Sequence, residues 1–144
     1  MDKEGEGRLN SIVNSEFART LGIVVISISA EEVRLEMSLD GKLNSIGTGH
    51  GGAIFSLADQ AFAISANQGE FPQVARSANI KYLKPAKGTL TAIARKFSED
   101  ERGSVHHVTV YADGVLVAQF EGIGHKLRGK RDKVDHTASG QRTK

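Results

Sequence analysis

A glycine-rich run, Asn44-Ser45-Ile46-Gly47-Thr48-Gly49-His50-Gly51-Gly52, leads directly into an apolar stretch, Ala53 to Ala66, that holds a single carboxylate, Asp59. Glycines let the backbone approach a ligand closely. The first N–H groups of a helix lack intrahelical acceptors, so they can donate to a developing oxyanion. A carboxylate can take a proton from water or attack a carbonyl itself. The two features together describe a site that can polarise a carbonyl. Gly51 and Asp59 stand eight residues apart, which on a helix rising about 1.5 Å per residue is roughly 12 Å. A base must lie within about 3 Å of the proton it takes, or one water away. The two groups of one chain therefore do not meet at one carbonyl. An antiparallel pair of such helices in a two-fold dimer would bring the acid of one protomer to Gly51 of the other.

His50-Gly51-Gly52 opening Ala53-Ile54-Phe55-Ser56-Leu57-Ala58-Asp59-Gln60-Ala61-Phe62-Ala63, with the later run Ser77-Ala78-Asn79-Ile80-Lys81-Tyr82-Leu83-Lys84-Pro85-Ala86, resembles the hotdog-fold thioesterases, specifically the phenylacetate-degradation (PaaI-like) branch. The resemblance covers roughly residues 10 to 126. It implies hydrolysis of acyl-CoA to a free acid and CoA, without a cofactor. The expected assembly is a homodimer with shared active sites, with a dimer-of-dimers tetramer as its further pairing; spacing does not separate dimer from tetramer, because both bury the same two-fold site. Carried over residue by residue, it makes the Gly51 N–H the donor to the thioester carbonyl, with Asn44 positioning that oxygen and His50 bracing the loop. Asp59 becomes the base or nucleophile, and Ser77 orients the attacking water. Gly52, Lys84 and Lys87 are the candidate substrate contacts, the lysines as partners for the phosphates of CoA.

Taken singly, these residues have blander readings. Asn44 is a turn residue, Ser77 a strand serine and His50 a helix-start residue making local hydrogen bonds. A lone buried acid such as Asp59 accepts hydrogen bonds from its surroundings, and lysines on strands commonly face solvent. The glycine-rich helix start is what favours catalysis. The direction of any shift in the Asp59 pKa is not readable here, because desolvation and donors from a partner chain oppose each other.

Rival readings are a non-catalytic acyl-CoA binding or sensing module and a hydratase acting on enoyl thioesters. A regulator of the first kind would need a DNA-binding segment, which nothing here resembles. The hydratase relies on a His with a carboxylate, and His50 and Asp59 are nine residues apart on one helix. Gly47 to Gly52 also satisfies the G-x-G-x-x-G pattern of dinucleotide-binding folds. That fingerprint needs a buried strand directly before it and a βαβ unit around it, and neither is expected here.

The length, 144 residues, suits one domain, placed at 1–127, with a basic and mobile tail at 128–144. Residues 125 to 144 hold seven Lys or Arg against two Asp, within a chain of net charge +2. Such a tail reads as solvated and not as a specific nucleic-acid arm. The chain has no cysteine, which removes disulfides and thiolate chemistry. His106 and His107 are neighbours in an expected strand and point to opposite faces, so they read as core or surface histidines and not as a metal site. No apolar run is long enough to span a bilayer, and the polar opening Met1-Asp2-Lys3-Glu4-Gly5-Glu6 does not read as a signal peptide. The expectation is a cytoplasmic protein with no membrane partner.

Around the site, Leu9, Ile12, Val13, Phe17 and Leu21 repeat at helical spacing and predict one N-terminal amphipathic helix. Residues 23–29 and 33–39 predict strands, and about 50–67 a long central helix that is apolar on all sides and hence buried. Extended segments follow at about 73–84, 88–98 and 104–112. Asp113-Gly114 then predicts a tight hairpin into 115–124. The fold expected is α+β, a hotdog: an antiparallel sheet of five to six strands wrapped around the central helix.

Overall fold

The computed structural model describes residues 2–128. They form α1 (Lys3–Val13), α2 (Glu16–Leu21), β1 (Val24–Ile28), β2 (Val33–Ser38), α3 (Gly51–Ala66), β3 (Gln73–Tyr82), β4 (Thr89–Glu99), β5 (Gly103–Ala112) and β6 (Val115–Lys126). The six strands make one sheet in the order β1-β2-β4-β5-β6-β3, with every neighbouring pair antiparallel. The sheet wraps around α3, as the expected fold requires. No βαβ unit exists among the described residues, so the glycine-rich run has no Rossmann context.

Local chemistry explains most boundaries. Asp113 and Gly114 both have positive φ, 50° and 79°, the conformation that a two-residue hairpin with strand-matched twist demands. The N-terminal apolar periodicity is carried by two helices and not by one. Asn14 caps α1, and the Ser15 side chain accepts from Ala18 N to begin α2. Short polar side chains that bond to nearby backbone favour helix ends over helix interiors. The break turns Phe17 outward, 62% exposed, while Leu9, Ile12, Val13 and Leu21 pack on the core.

The α3 face toward the sheet carries Ala53, Ile54, Leu57, Ala58, Ala61 and Phe62, all buried against Leu35, Met37, Leu90, Val108, Val110 and Phe120. The small side chains of Ala53, Ala58 and Ala61 let the helix lie close to the sheet, where interiors pack near crystal density. Contrary to the expectation of a helix buried all round, Phe55, Ser56, Asp59, Gln60 and Ala63 are only half-buried. The sheet and the N-terminal helices cover α3 incompletely within one protomer. α1 is fastened to α3 at two points: Gln60 Nε2 donates to Ile12 O at 2.8 Å, and Arg8 donates to the carbonyls of Asn67 and Gly69.

β3 differs from the other long strands. It pairs only with β6, forms an edge of the sheet, and is exposed along most of its length. An irregularity between Ala75 and Ser77 re-aims its middle. The tail beyond Arg128 lies outside the described residues. Arg128, which the sequence reading assigned to the mobile tail, donates to Glu101 O and stands over the Phe71 ring at 4.5 Å.

Candidate active site

The loop from Asp40 to His50 is held by its own hydrogen bonds. Asn44 Oδ1 accepts from Ile46 N at 3.1 Å and Thr48 N at 3.0 Å, and its Nδ2 donates to Thr48 Oγ1 at 2.9 Å. Backbone bonds from Asn44 N to Thr48 O and from Gly47 N to Asn44 O close the turn. Asn44 thus acts as the strut of the loop that delivers the helix start, with the amide directed inward to the loop. Gly49 meets Leu39, whose Cδ1 lies 2.8 Å from where a Cβ would stand, so a side chain there would push the loop off β2.

His50 is the N-cap of α3. Its Nδ1 accepts from Gly52 N at 2.9 Å, and its carbonyl accepts from Ala53 N and Ile54 N. Because Nδ1 is an acceptor, the neutral ring carries its proton on Nε2. Of the first four N–H groups of α3, that of Gly51 alone has no acceptor among the described residues. Gly52 N–H, expected to face substrate, is already engaged with His50.

Gly51 lines a cleft of about 300 Å³ together with Asn44, Thr48, Tyr82, Lys84 and Pro85. Lys84 therefore lines the same cleft as Gly51. Lys87 is exposed and does not line this cleft. A larger concavity of about 470 Å³ lies on the opposite face of the sheet, but its His107 and Glu121 pair with each other at 3.0 Å, and it shares no residue with the cleft.

Asp59 sits two turns along α3 on the half-covered face. No donor bonds to its carboxylate among the described residues, and burial raises its pKa above the ordinary 3.8. Desolvation is the cause, since the charged form loses water without gaining a partner. Gly51 and Asp59 lie on one unbroken helix, so their eight residues keep them about 12 Å apart. Ser77 is exposed on the free-edged β3. The fold brings Gly51, Asn44, His50, Gly52 and Lys84 together, and leaves Asp59 and Ser77 apart from them within one protomer.

Sequence reasoning missed two features. Tyr82, which enters the sequence analysis only as a member of the run Ser77 to Ala86, donates its hydroxyl to Gly51 O at 2.9 Å from 31 positions away. His106, read as a core or surface histidine, is the centre of a buried network: its Nδ1 meets Ser65 Oγ and its Nε2 meets Ser104 Oγ, both at 2.7 Å. Neither feature could be read from spacing, because Tyr82 and Gly51, like His106 and Ser65, come from elements far apart in the chain.

Residues 10–121 match the family described as Domain of unknown function (DUF4442). The chain is 33% identical over 120 residues to the acyl-coenzyme A thioesterase PaaI of Escherichia coli strain K12, covering 81% of this chain and 86% of that one. The solved structure of the E. coli PaaI protein from the phenylacetic acid degradation operon superposes with a TM-score of 0.77 at 30% identity, covering 88% of this chain and 94% of that one. A mutant of the phenylacetic acid degradation protein PaaI from Thermus thermophilus gives 0.74 at 32% identity, covering 77% and 98%.

Proposed function

The chain belongs to the DUF4442 family and to the PaaI-like hotdog thioesterases, and from its standing as a thioester hydrolase we propose that it cleaves acyl-CoA to a free acid and CoA in sites shared between two protomers. The carbonyl oxygen of the thioester lies at the Gly51 N–H, which stabilises the charge that develops as the tetrahedral intermediate forms. Asp59 of the partner subunit takes the proton of the attacking water, with Ser77 helping to orient that water. Attack by the carboxylate itself, through a mixed anhydride that water then opens, uses the same groups.

The observation that carries this reading is the pairing of one unsatisfied N–H with one carboxylate that lacks a donor. Both groups are half-buried and make no bond among the described residues, so each is open to water, a ligand or a second chain. The raised pKa of Asp59, a consequence of its burial, suits a base because it strengthens proton affinity. The long exposed edge of β3 supports the dimer. Unpaired edge strands invite pairing, and two β3 edges joined antiparallel would continue the sheet and bring the open faces of two α3 helices together. Ser77 would then enter the site from that seam. Lys84 is placed in this reading as a contact for the CoA phosphates, and Lys87 as a weaker one farther out. Pairing of dimers into a tetramer, and a cytoplasmic setting, complete the proposal; no helix among the described residues is long and apolar enough to cross a membrane.

The test is thiol release from a panel of aromatic, short and medium-chain acyl-CoAs, with Asp59→Asn beside the wild type. Turnover by the wild type and its loss in the variant is the expected result. Tight acyl-CoA binding without thiol release, indifferent to Asp59→Asn, would overturn hydrolysis in favour of a binding module.

A further inference from the structure

We infer that Tyr82 is a positioning residue for the oxyanion donor, holding from the end of β3 the peptide group that follows the donor across the Gly51 Cα; this rests on the thioesterase reading above. The Tyr82 hydroxyl donates to Gly51 O at 2.9 Å, and the N–H of that same peptide group, on Gly52, donates to His50 Nδ1 at 2.9 Å. A peptide group is planar, so a grip at both ends fixes its plane. On the other side of Gly51, the preceding peptide is held by its carbonyl, which accepts from Ala53 N and Ile54 N. That preceding plane carries the Gly51 N–H itself, and the Tyr82 bond fixes the plane on the far side of the Gly51 Cα, so the joint between the two cannot turn and the N–H is aimed before any substrate arrives. Donors fixed in advance stabilise a transition state without reorganising at the moment of reaction.

The ring adds a second constraint. An ideal Cβ on Gly51 would stand 3.3 Å from the Tyr82 Cζ and Oη, so the ring occupies the side where a side chain would project. Tyr82 is 52% exposed, and burial alone does little to hold it. Its hydroxyl bond is the specific anchor. Tyr82 also lines the cleft with Gly51 and Lys84, and it sits at the end of the strand whose free edge the dimer would use. The strand therefore links the seam between protomers to the direction of the donor.

The experiment uses the full chain with Tyr82→Phe, which keeps the ring and removes the hydroxyl. On an acyl-CoA that the wild type hydrolyses, kcat should fall about three- to tenfold, the range one net hydrogen bond supports, with KM unchanged. Combined with His50→Ala, which releases the other end of the same peptide, the loss should be less than the product of the two single losses. NMR gives a reading independent of turnover: the Gly51 and Gly52 amide signals should shift and exchange faster in Tyr82→Phe. A kcat equal to wild type, a change in KM alone, or fully multiplicative losses would overturn the proposal, whatever happens to Tm. Absence of thiol release in the wild type would instead count against the thioesterase reading. In that event unmoved Gly51 and Gly52 amide signals would still overturn the positioning role, and shifted ones would sustain it.

Discussion

The two ends of α3 treat their polar groups in opposite ways. At the C-terminal end, Asn67 N–H reaches the carbonyls of Ala63 and Ile64, its side chain bonds to Ala63 O and to both backbone groups of Gln73, and Arg8 covers its carbonyl. Beside it the ring of His106, 1% exposed, has a serine hydroxyl on each nitrogen. Ser104 Oγ donates onward to Gln73 Oε1 at 2.9 Å. Its single proton is thus committed, so His106 is the donor at Nε2 and accepts from Ser65 at Nδ1. The network is complete and binds the helix to β5 and β3. At the N-terminal end, one N–H is left without an acceptor among the described residues, and along the helix one acid is left without a donor among them. A Ser-His-Ser cluster looks more like catalytic machinery than two glycines do, yet its polar atoms are spent on one another. Unspent hydrogen-bonding capacity, and not the chemical reputation of the residue types, separates the reactive end from the structural one.

Breaking the reactive end should give the largest effects. Asp59→Asn is expected to lower kcat about 10²- to 10⁴-fold, the range for losing a general base, while thermal unfolding shows no loss of stability. The carboxylate has no partner to lose among the described residues, and its charge is disfavoured by burial. Gly51→Pro removes the N–H and leaves the helix able to form, although the half-exposed Tyr82 ring, 3.3 Å from an ideal Cβ, must swing aside to admit the proline ring. Proline is tolerated at the first helical position, and His50 already has the extended conformation, φ −64° and ψ 134°, that a residue before proline prefers. Its kcat should fall about 10²- to 10³-fold, as for loss of an oxyanion donor, with circular dichroism unchanged.

Breaking the structural end should do the reverse. His106→Ala leaves two serine hydroxyls without their partner and opens a void against the Phe62 ring, 5.6 Å away. Stability should fall by about 2–4 kcal/mol, with kcat within about twofold of wild type. A larger loss of kcat at unchanged stability would erase the distinction drawn between the two ends.

The effects of pH on stability come last because they act gradually over several pH units. Burial lowers the His106 pKa to about 4, from an ordinary 6.5, with Lys96 adding to the effect. The unfolded chain takes up that proton first, so stability should decline as pH falls from 6.5 toward 4. Glu99, lowered to about 2 by hydrogen bonds from Lys126 and Lys96, adds a further decline below its ordinary 4.5. Asp59 has the opposite sign. Its raised pKa means the folded chain holds the proton longer, so its contribution falls as pH rises above 3.8. Tm measured against pH should therefore flatten between 6.5 and 4 in His106→Ala.

The legible parts of this molecule were those with local causes. The Asp113-Gly114 turn, the apolar repeat of α3 and the glycine-rich start that His50 caps are each written within a few residues. The break at Asn14-Ser15 was also local, but the apolar repeat running through it concealed the capping serine. The open face of α3 was not legible, because Phe55, Ala63 and their buried neighbours look alike in a sequence; only the path of the sheet decides which side is covered. The Tyr82 bond and the His106 network join residues 31 and 41 positions apart, and spacing carries no signal at that range. The separation of Gly51 from Asp59 was readable from helix rise alone, and it leads to the claim that a site needs two protomers.

That claim is tested most directly by mixing subunits. Gly51→Pro and Asp59→Asn chains, carrying different affinity tags and expressed together, are purified as the mixed dimer and assayed for thiol release. One of its two sites would combine an intact Gly51 with an intact Asp59 of the partner subunit, and the account predicts about half the wild-type turnover per dimer from two inactive parents. A mixed dimer as inactive as either parent would contradict it, since a site built within one chain is broken in both.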